Sequence, residues 1–356
     1  LYLVSRSGDE IRLVTPGAYD VISLERVDAE GGWVYFIASP DDPTTRYLYR
    51  TPLDGSGKLE RLTPAGHVGT HGYQISEDAR WAIHSFSSFE VVPQTALVSL
   101  PDHQTRRILE DNAAVQASFD ALAKRPVEAF RVDIGEGVVV DGWMIKPPDF
   151  DPGQSYPLLV FVYGEPAGQT VGNRWGRSNQ LWHFLLAQRG YLVASLDNHG
   201  TPAPRGREWR KSVYRQIGIL ASADQAAGVR ALIASRPYID PERIGTWGWS
   251  GGGTMTLNAL FRYPDLYSVG MAVAVISDQK VYDTVYQERY MGLLSENRAG
   301  YHDGSPINHA HNLEGNLLII HGTADDNVHY QSFEMLVDRL IEHNKLFNMM
   351  AYPMRA

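Results

Sequence analysis

At 356 residues, with 44% hydrophobic and 21% charged side chains, the chain has room for two domains and the make-up of an ordinary globular protein. A net charge of -9 without any dense run of Lys and Arg argues against a nucleic-acid binder. The absence of cysteine excludes disulfides, thiolate zinc sites and cysteine nucleophiles, and no apolar run approaches the roughly 18 residues of a membrane span.

Residues 1–112 read as repeated strand pairs. Leu1-Tyr2-Leu3-Val4 leads through a polar turn to Leu13-Val14-Thr15-Pro16-Gly17, Tyr47–Arg50 leads to Leu62–Gly66, and Ala96–Ser99 leads to Ile108–Asp111. The period of about 45 to 50 residues is that of a propeller blade. Further pairs lie between these, Ser23–Val27 with Trp33–Ser39 and Gly72–Ser76 with Trp81–Ser85. The segment therefore holds about two blades and half of another, fewer than the four at which propellers close. The rest of the ring is expected before Leu1.

Residues 113–131 read as a connector, with a short helix over Ala114–Lys124 that Pro126 ends. From Val132 the texture changes. Strands are expected at Val138–Lys146, Leu158–Tyr163, Tyr191–Asp197, Ile244–Trp249, Val269–Ile276, Leu317–His321 and Phe347–Tyr352. Helices are expected between them at Gln180–Arg189, Ser222–Ser235, Thr254–Tyr263 and Tyr330–His343. Alternating strands and helices imply an α/β domain over 132–356, a mostly parallel sheet covered on both faces, with ligands at the carboxyl ends of its strands.

Gly248-Trp249-Ser250-Gly251-Gly252 is the one G-x-S-x-G in the chain, with a strand before it and a helix after it. That context makes a nucleophile elbow, in which glycines let strand and helix approach and the serine hydroxyl projects into the open. The bland alternative is a glycine-rich strand-to-helix connection with an ordinary serine. A serine hydroxyl needs a base, normally a histidine oriented by a carboxylate, and in such sheets the chain order is Ser, acid, His. The acid candidates lie in His321-Gly322-Thr323-Ala324-Asp325-Asp326-Asn327, after a strand end, where a solvated Asp-Asp turn is the competing reading. No histidine suits the third role. His329 is too close to Asp325, His343 falls on a helix, and His199, His302, His309, His311 and His321 precede the acid.

Gly248–Gly252, His321–His329 and the stretch Tyr282-Asp283-Thr284-Val285-Tyr286-Gln287-Glu288-Arg289-Tyr290-Met291-Gly292 together resemble the prolyl oligopeptidase family of serine peptidases, dipeptidyl peptidase IV branch. The resemblance covers Val132–Ala356 in motif and 1–112 in architecture. It implies an α/β-hydrolase domain with a partial N-terminal β-propeller, acting on peptide substrates with no metal or organic cofactor. It also implies a homodimer and, as family habit alone, a periplasmic or secreted location. Carried over residue by residue, Ser250 is the nucleophile and Asp325 the orienting carboxylate. The oxyanion hole would be Tyr163, in Val162-Tyr163-Gly164, with the N–H of Gly251. Tyr282, Tyr286, Ile276 and Val328 would line the pocket for the residue before the cleaved bond, and Asn327 would hold a substrate carbonyl. Core packing and turn capping are the ordinary roles for the same residue types.

The chain departs from the family pattern at several points. Gly251 stands where many members have Tyr and Gln279 where an aromatic closes the pocket, so relaxed selection is expected. Glu165-Pro166-Ala167 replaces a more glycine-rich loop, and no segment corresponds to the acidic clamp for the substrate amine. The family's histidine directly follows a Tyr-Pro-x-Arg-x stretch, and the chain ends on Tyr352-Pro353-Met354-Arg355-Ala356. The base is therefore expected just beyond Ala356. The expected activity is release of N-terminal X-Pro or X-small dipeptides through an acyl-enzyme. The rivals are an oligopeptidase or acylaminoacyl peptidase on the same fold, and a non-catalytic binding module.

Overall fold

The computed structural model describes residues 1–355. They form two compact units. The first comprises Leu1–Pro126 with Gly172–Leu181 and Ala203–Gly206; the second comprises Val127–Val171, Trp182–Pro202 and the residues from Arg207 onward.

The first unit opens with a hairpin, Tyr2–Val4 against Ile11–Leu13. Two four-stranded antiparallel meanders follow. One runs through Val21–Asp28, Trp33–Ala38, Tyr47–Pro52 and Glu60–Arg61, the other through Thr70–Ile75, Trp81–Ser87, Gln94–Ser99 and Thr105–Glu110. These are two blades and the end of a third, the partial propeller expected from the repeat. Side chains alternate across a strand, and in Trp33–Ala38 both faces are apolar. Val34, Phe36 and Ala38 pack with Tyr47, Tyr49 and Val14, while Tyr35 and Ile37 pack with Tyr73, Ala82 and Val98 of the second blade.

A buried chain of polar rings crosses the second blade. His71 Nε2 donates to the His67 carbonyl at 3.0 Å, so its Nδ1 is the acceptor that faces His84 Nε2 at 2.8 Å. Tyr73 Oη lies 2.8 Å from both Thr63 Oγ1 and His103 Nε2. Burial lowers His71 to about 4 and His84 to about 3. Both histidines are thus neutral when folded, whereas the unfolded chain takes up their protons near pH 6.5. Stability is complete above pH 6.5 and falls as the pH drops from there toward 4, by up to about 1.4 kcal/mol per pH unit for each histidine. Hydrogen-exchange protection of the Trp81–Ser87 amides is expected to decline over that window, and His84→Phe to remove its share of the slope. Equal protection at pH 7 and pH 5 would contradict the neutral pairing.

The second unit is built on one eight-stranded sheet. Its strands are β1 (Glu128–Asp133), β2 (Val139–Ile145), β3 (Tyr156–Phe161), β4 (Leu192–Leu196), β5 (Ile239–Trp249), β6 (Val269–Val273), β7 (Asn316–Gly322) and β8 (Asn348–Tyr352). Their order is β1-β2-β4-β3-β5-β6-β7-β8. The pairings β1–β2 and β2–β4 are antiparallel, and every pairing from β4 to β8 is parallel. The middle strands are near-continuous apolar runs, as a sheet covered on both faces requires. Leu158, Leu192, Ile244, Ala272 and Ile319 are buried in one core with Val229 and Leu232 of α1 (Leu220–Ser235), Leu257 and Phe261 of α2 (Gly251–Arg262), and Phe333, Leu336 and Leu340 of a later helix, Tyr330–Glu342. The strand order reverses beside β3 and β5, and that is the place where such sheets bind ligands.

Three local features differ from expectation. β1 begins inside the stretch 113–131 read as a connector, and the units divide at Pro126–Val127. Glu128 and Phe130 are half-buried and Val132 buried, alternating with exposed residues, and Gly135 and Gly137, at φ +101° and +77°, turn the chain back into β2. β6 stops at Val273, where Ala274 takes φ +50° and leaves the ladder. The tyrosine-rich stretch contains a helix, α3 (Thr284–Met291), started by Asp283, whose carboxylate accepts the Tyr286 N–H at 2.8 Å. No helix among the described residues is long and apolar enough to cross a membrane.

Candidate active site

β5 delivers Ser250 at the sheet's carboxyl end. The residue sits at φ 58°, ψ -123°, a region that non-glycine residues occupy only under constraint. Its backbone is fixed from two sides: its N–H donates to Val273 O at 2.9 Å, and its carbonyl accepts from Thr254 N at 3.1 Å. The flanking glycines make the turn possible. A Cβ on Gly248 would fall onto the backbone of Gly252, and one on Gly252 onto the Val162 carbonyl. Although Ser250 stands at the N-cap of α2, its hydroxyl makes no capping bond. The first N–H groups of a helix have no partner within it, and the Gly251 N–H is the first of α2.

Tyr163 follows β3, and its Cα packs against Gly252. It is half-buried. Burial, and then the negative charge of Glu165, push its pKa up to about 12, so it remains a donor at neutral pH. A hydroxyl donor and a helix-start N–H are the kinds of group from which oxyanion holes are built, each donor there being worth about 2.7–4 kcal/mol.

The acid loop follows β7. Asp325 Oδ1 accepts from the N–H groups of Asn327 and Val328 at 3.0 and 2.9 Å, while Oδ2 stands 3.5 Å from His321 Nε2. The Asp325 side chain is 9% exposed, whereas Asp326 is open to solvent. His321 is buried, and its Nε2 donates to Val328 O at 2.7 Å. It braces the acid loop. His329 is the exposed residue before the helix Tyr330–Glu342, and His343 closes that helix against the ring of His311.

The pocket residues gather from β6 and the segment after it. Ile276 is buried, and its backbone N–H and carbonyl both engage Thr254 Oγ1. Val328 is buried beside Asp325. Tyr282 and Tyr286 meet edge to face at 5.5 Å, and Tyr290 continues the stack at 4.9 Å. Tyr282 Oη donates to Asn327 Oδ1 at 3.0 Å. This leaves the amide NH2 of Asn327 as the end that a substrate carbonyl would meet. Gln279, expected to open the pocket, is instead buried in a polar network with Gln287 and the Gly304 carbonyl. The space over Gly251 is also filled, by the carboxyl of Glu165. The sequence reading assigned Glu165 no role, because an acid in a loop reads as a solvated residue.

Tyr163 after β3, Ser250 and Gly251 after β5, Ile276 after β6 and Asp325 after β7 thus share one end of one parallel sheet. A strained serine, a tyrosine, a helix-start N–H, a carboxylate on a separate loop and a tyrosine stack therefore stand on the loops at that end. This is the equipment of acyl transfer.

Comparison with known proteins accords with this geometry. Residues 178–356 match the model of the prolyl oligopeptidase family, and residues 1–93 match that of the dipeptidyl peptidase IV N-terminal region. The chain is 35% identical over 350 residues to the Emericella nidulans protein named "Probable dipeptidyl-aminopeptidase B", covering 95% of this chain and 37% of that one. It is 33% identical over 350 residues to dipeptidyl-aminopeptidase B of Aspergillus niger, with the same shares covered. The crystal structure of Porphyromonas gingivalis dipeptidyl peptidase 4 superimposes with a TM-score of 0.93 at 36% identity, over 99% of this chain and 49% of that one. The chain therefore spans little more than a third of the curated relatives' length. The elbow on β5, the acid loop on β7 and the blades before the sheet all agree with these matches: the chain belongs to the prolyl oligopeptidase family, in its dipeptidyl peptidase IV branch.

Proposed function

We propose that the complete protein is a serine exopeptidase that removes N-terminal dipeptides, with Pro or a small residue second. The observation that carries this reading is the strained, uncapped Ser250, whose neighbour Gly251 lies against Glu165 and through it the Tyr286–Tyr282 stack. The relatives' names, dipeptidyl-aminopeptidase B and dipeptidyl peptidase 4, support it. Ser250 Oγ attacks the carbonyl of the second residue, and its proton passes to a histidine that Asp325 orients. The developing oxyanion is held by Tyr163 Oη and Gly251 N–H. Collapse, with the histidine passing that proton to the leaving nitrogen, expels the shortened peptide as its free amine and leaves the dipeptide esterified to Ser250; water, deprotonated by the same histidine, then attacks the ester and the proton returns to Ser250 Oγ. The general base in this reading is a histidine outside these residues: His321 is bonded to Val328 O, His343 rests against His311, and His329 is only four residues from Asp325. A homodimer belongs to the same proposal and is decided by sedimentation of the full-length protein.

The test uses the full-length protein with peptides beginning X-Pro and X-Ala, free and N-acetylated. Dipeptide release from the free forms, with the acetylated forms refused, is the expected result. Equal cleavage of acetylated peptides would replace the reading with an oligopeptidase or acylaminoacyl peptidase. Failure of Ser250 to react with a fluorophosphonate would replace it with a non-catalytic module.

A further inference from the structure

Glu165 has no place in the mechanism above. It lies two residues after Tyr163 and is 2% exposed. Tyr286 Oη donates to its Oε2 at 2.8 Å, while Oε1 is buried with no partner among the described residues. A Cβ built on Gly251 would stand 2.8 Å from Oε2, 2.9 Å from Cδ and 3.3 Å from the Glu165 Cβ. The carboxyl therefore lies against the peptide that follows the nucleophile, in the space a side chain on residue 251 would need. The titratable groups around it are hydroxyls: Tyr163 on its own loop, and Tyr282 and Tyr286 from the pocket segment, with Tyr290 stacked behind Tyr286.

We propose that Glu165 is a specificity-determining and positioning residue of the pocket, closing it over Gly251 and fixing the Tyr286 wall through the hydroxyl bond. The inference rests on the dipeptidyl peptidase reading and deepens it by saying which side chain limits the size of the second residue. A filled wall makes the pocket small, suited to Pro and Ala and closed to Leu. The protonation state of Glu165 then enters the chemistry. Burial pushes it up to about 7, against the opposing pull of the Tyr286 bond. Below that pH the wall is neutral. Above it, a carboxylate stands beside the Gly251 N–H where the oxyanion develops, and like charges repel most strongly in a dry site. Activity should fall as Glu165 ionises.

The experiment compares full-length wild type with Glu165→Gln, Glu165→Ala and Tyr286→Phe, measuring kcat/KM for X-Ala, X-Pro and X-Leu substrates from pH 5.5 to 9. Glu165→Ala is expected to raise the Leu-to-Ala ratio at least tenfold, since even one methylene in a pocket changes selection by about 10-fold or more. Glu165→Gln, which keeps shape and acceptor, should hold the wild-type ratio within about threefold and lose the decline in kcat/KM around pH 7. Tyr286→Phe removes the bond that favours the ionised form, so the decline should move to higher pH. A Glu165→Ala enzyme with wild-type ratio and pH profile would overturn the proposal. Should wild type release no dipeptides, the functional reading fails, and Glu165 is judged separately by infrared spectroscopy. The C=O band of a buried protonated carboxyl, absent in Glu165→Gln and persisting to higher pH in Tyr286→Phe, supports its placement. The absence of that band from wild type overturns it.

Discussion

Ser250→Ala in the full-length protein is expected to lower kcat by about 10^6-fold, close to what removing a whole triad costs. That is about 8 kcal/mol of barrier. The size follows from what remains: with no hydroxyl there is no acyl-enzyme, and the oxyanion hole and substrate binding alone give about 10^3–10^4-fold over water. The fold should survive. Ser250 makes its structural bonds through its backbone, to Val273 and Thr254, and its side chain makes no capping bond that alanine would forfeit. The φ of 58° stays unfavourable for alanine, as it is for serine, so the melting temperature should change little. The check is kcat on an X-Pro substrate, a fluorophosphonate-labelling assay and a thermal melt on one preparation. More than a few per cent of wild-type turnover, free of contaminating peptidase, would remove Ser250 from the role.

That expectation was legible in the sequence, because a nucleophile elbow is local. Three glycines, a strand pattern before and a helix pattern after reveal the turn without any distant contact. The two blades were legible for a related reason: their strands alternate and their turns recur. What the sequence hid was non-local. β1 is half exposed and held by its pairing with β2, so its apolar content was too thin to announce it. Gln279 stands where bulk seemed lost, but Gln287 on α3 and the Gly304 carbonyl, 25 residues away, complete its hydrogen bonds. Glu165 was hidden most fully. A glutamate beside proline in a loop gives no local sign of burial, and only the fold brings Tyr286, 121 residues away, onto its carboxyl. One signal was available: a glycine after the nucleophile leaves room, and a filled interior requires some neighbour to take it.

Asp325→Asn is expected to cost about 10^4-fold in kcat/KM, with the loop intact. The acid has two tasks that its oxygens divide. Oδ1 accepts the Asn327 and Val328 N–H groups and shapes the turn; Oδ2 carries the face turned from those bonds, with His321 Nε2 at 3.5 Å. Asparagine keeps the acceptor on the Oδ1 side and so keeps the turn, Asn327 and its contact with Tyr282. It loses the charge and offers the base an N–H instead of an acceptor, which favours the wrong tautomer of the histidine and leaves the imidazolium uncompensated. About 5.5 kcal/mol of transition-state stabilisation disappears with it. Asp325→Ala should add a structural loss, because the part-buried Val328 N–H loses its partner, at about 1–3 kcal/mol, whereas the exposed Asn327 N–H can turn to water. The melting temperature should therefore fall for alanine and hold for asparagine, while activity falls for both. Asp326→Asn is the control: it is exposed and should keep activity within about threefold. If Asp326→Asn were the inactive variant and Asp325→Asn the active one, the carboxylate would have to be reassigned. The turn-shaping bonds of Asp325 would then be its whole function.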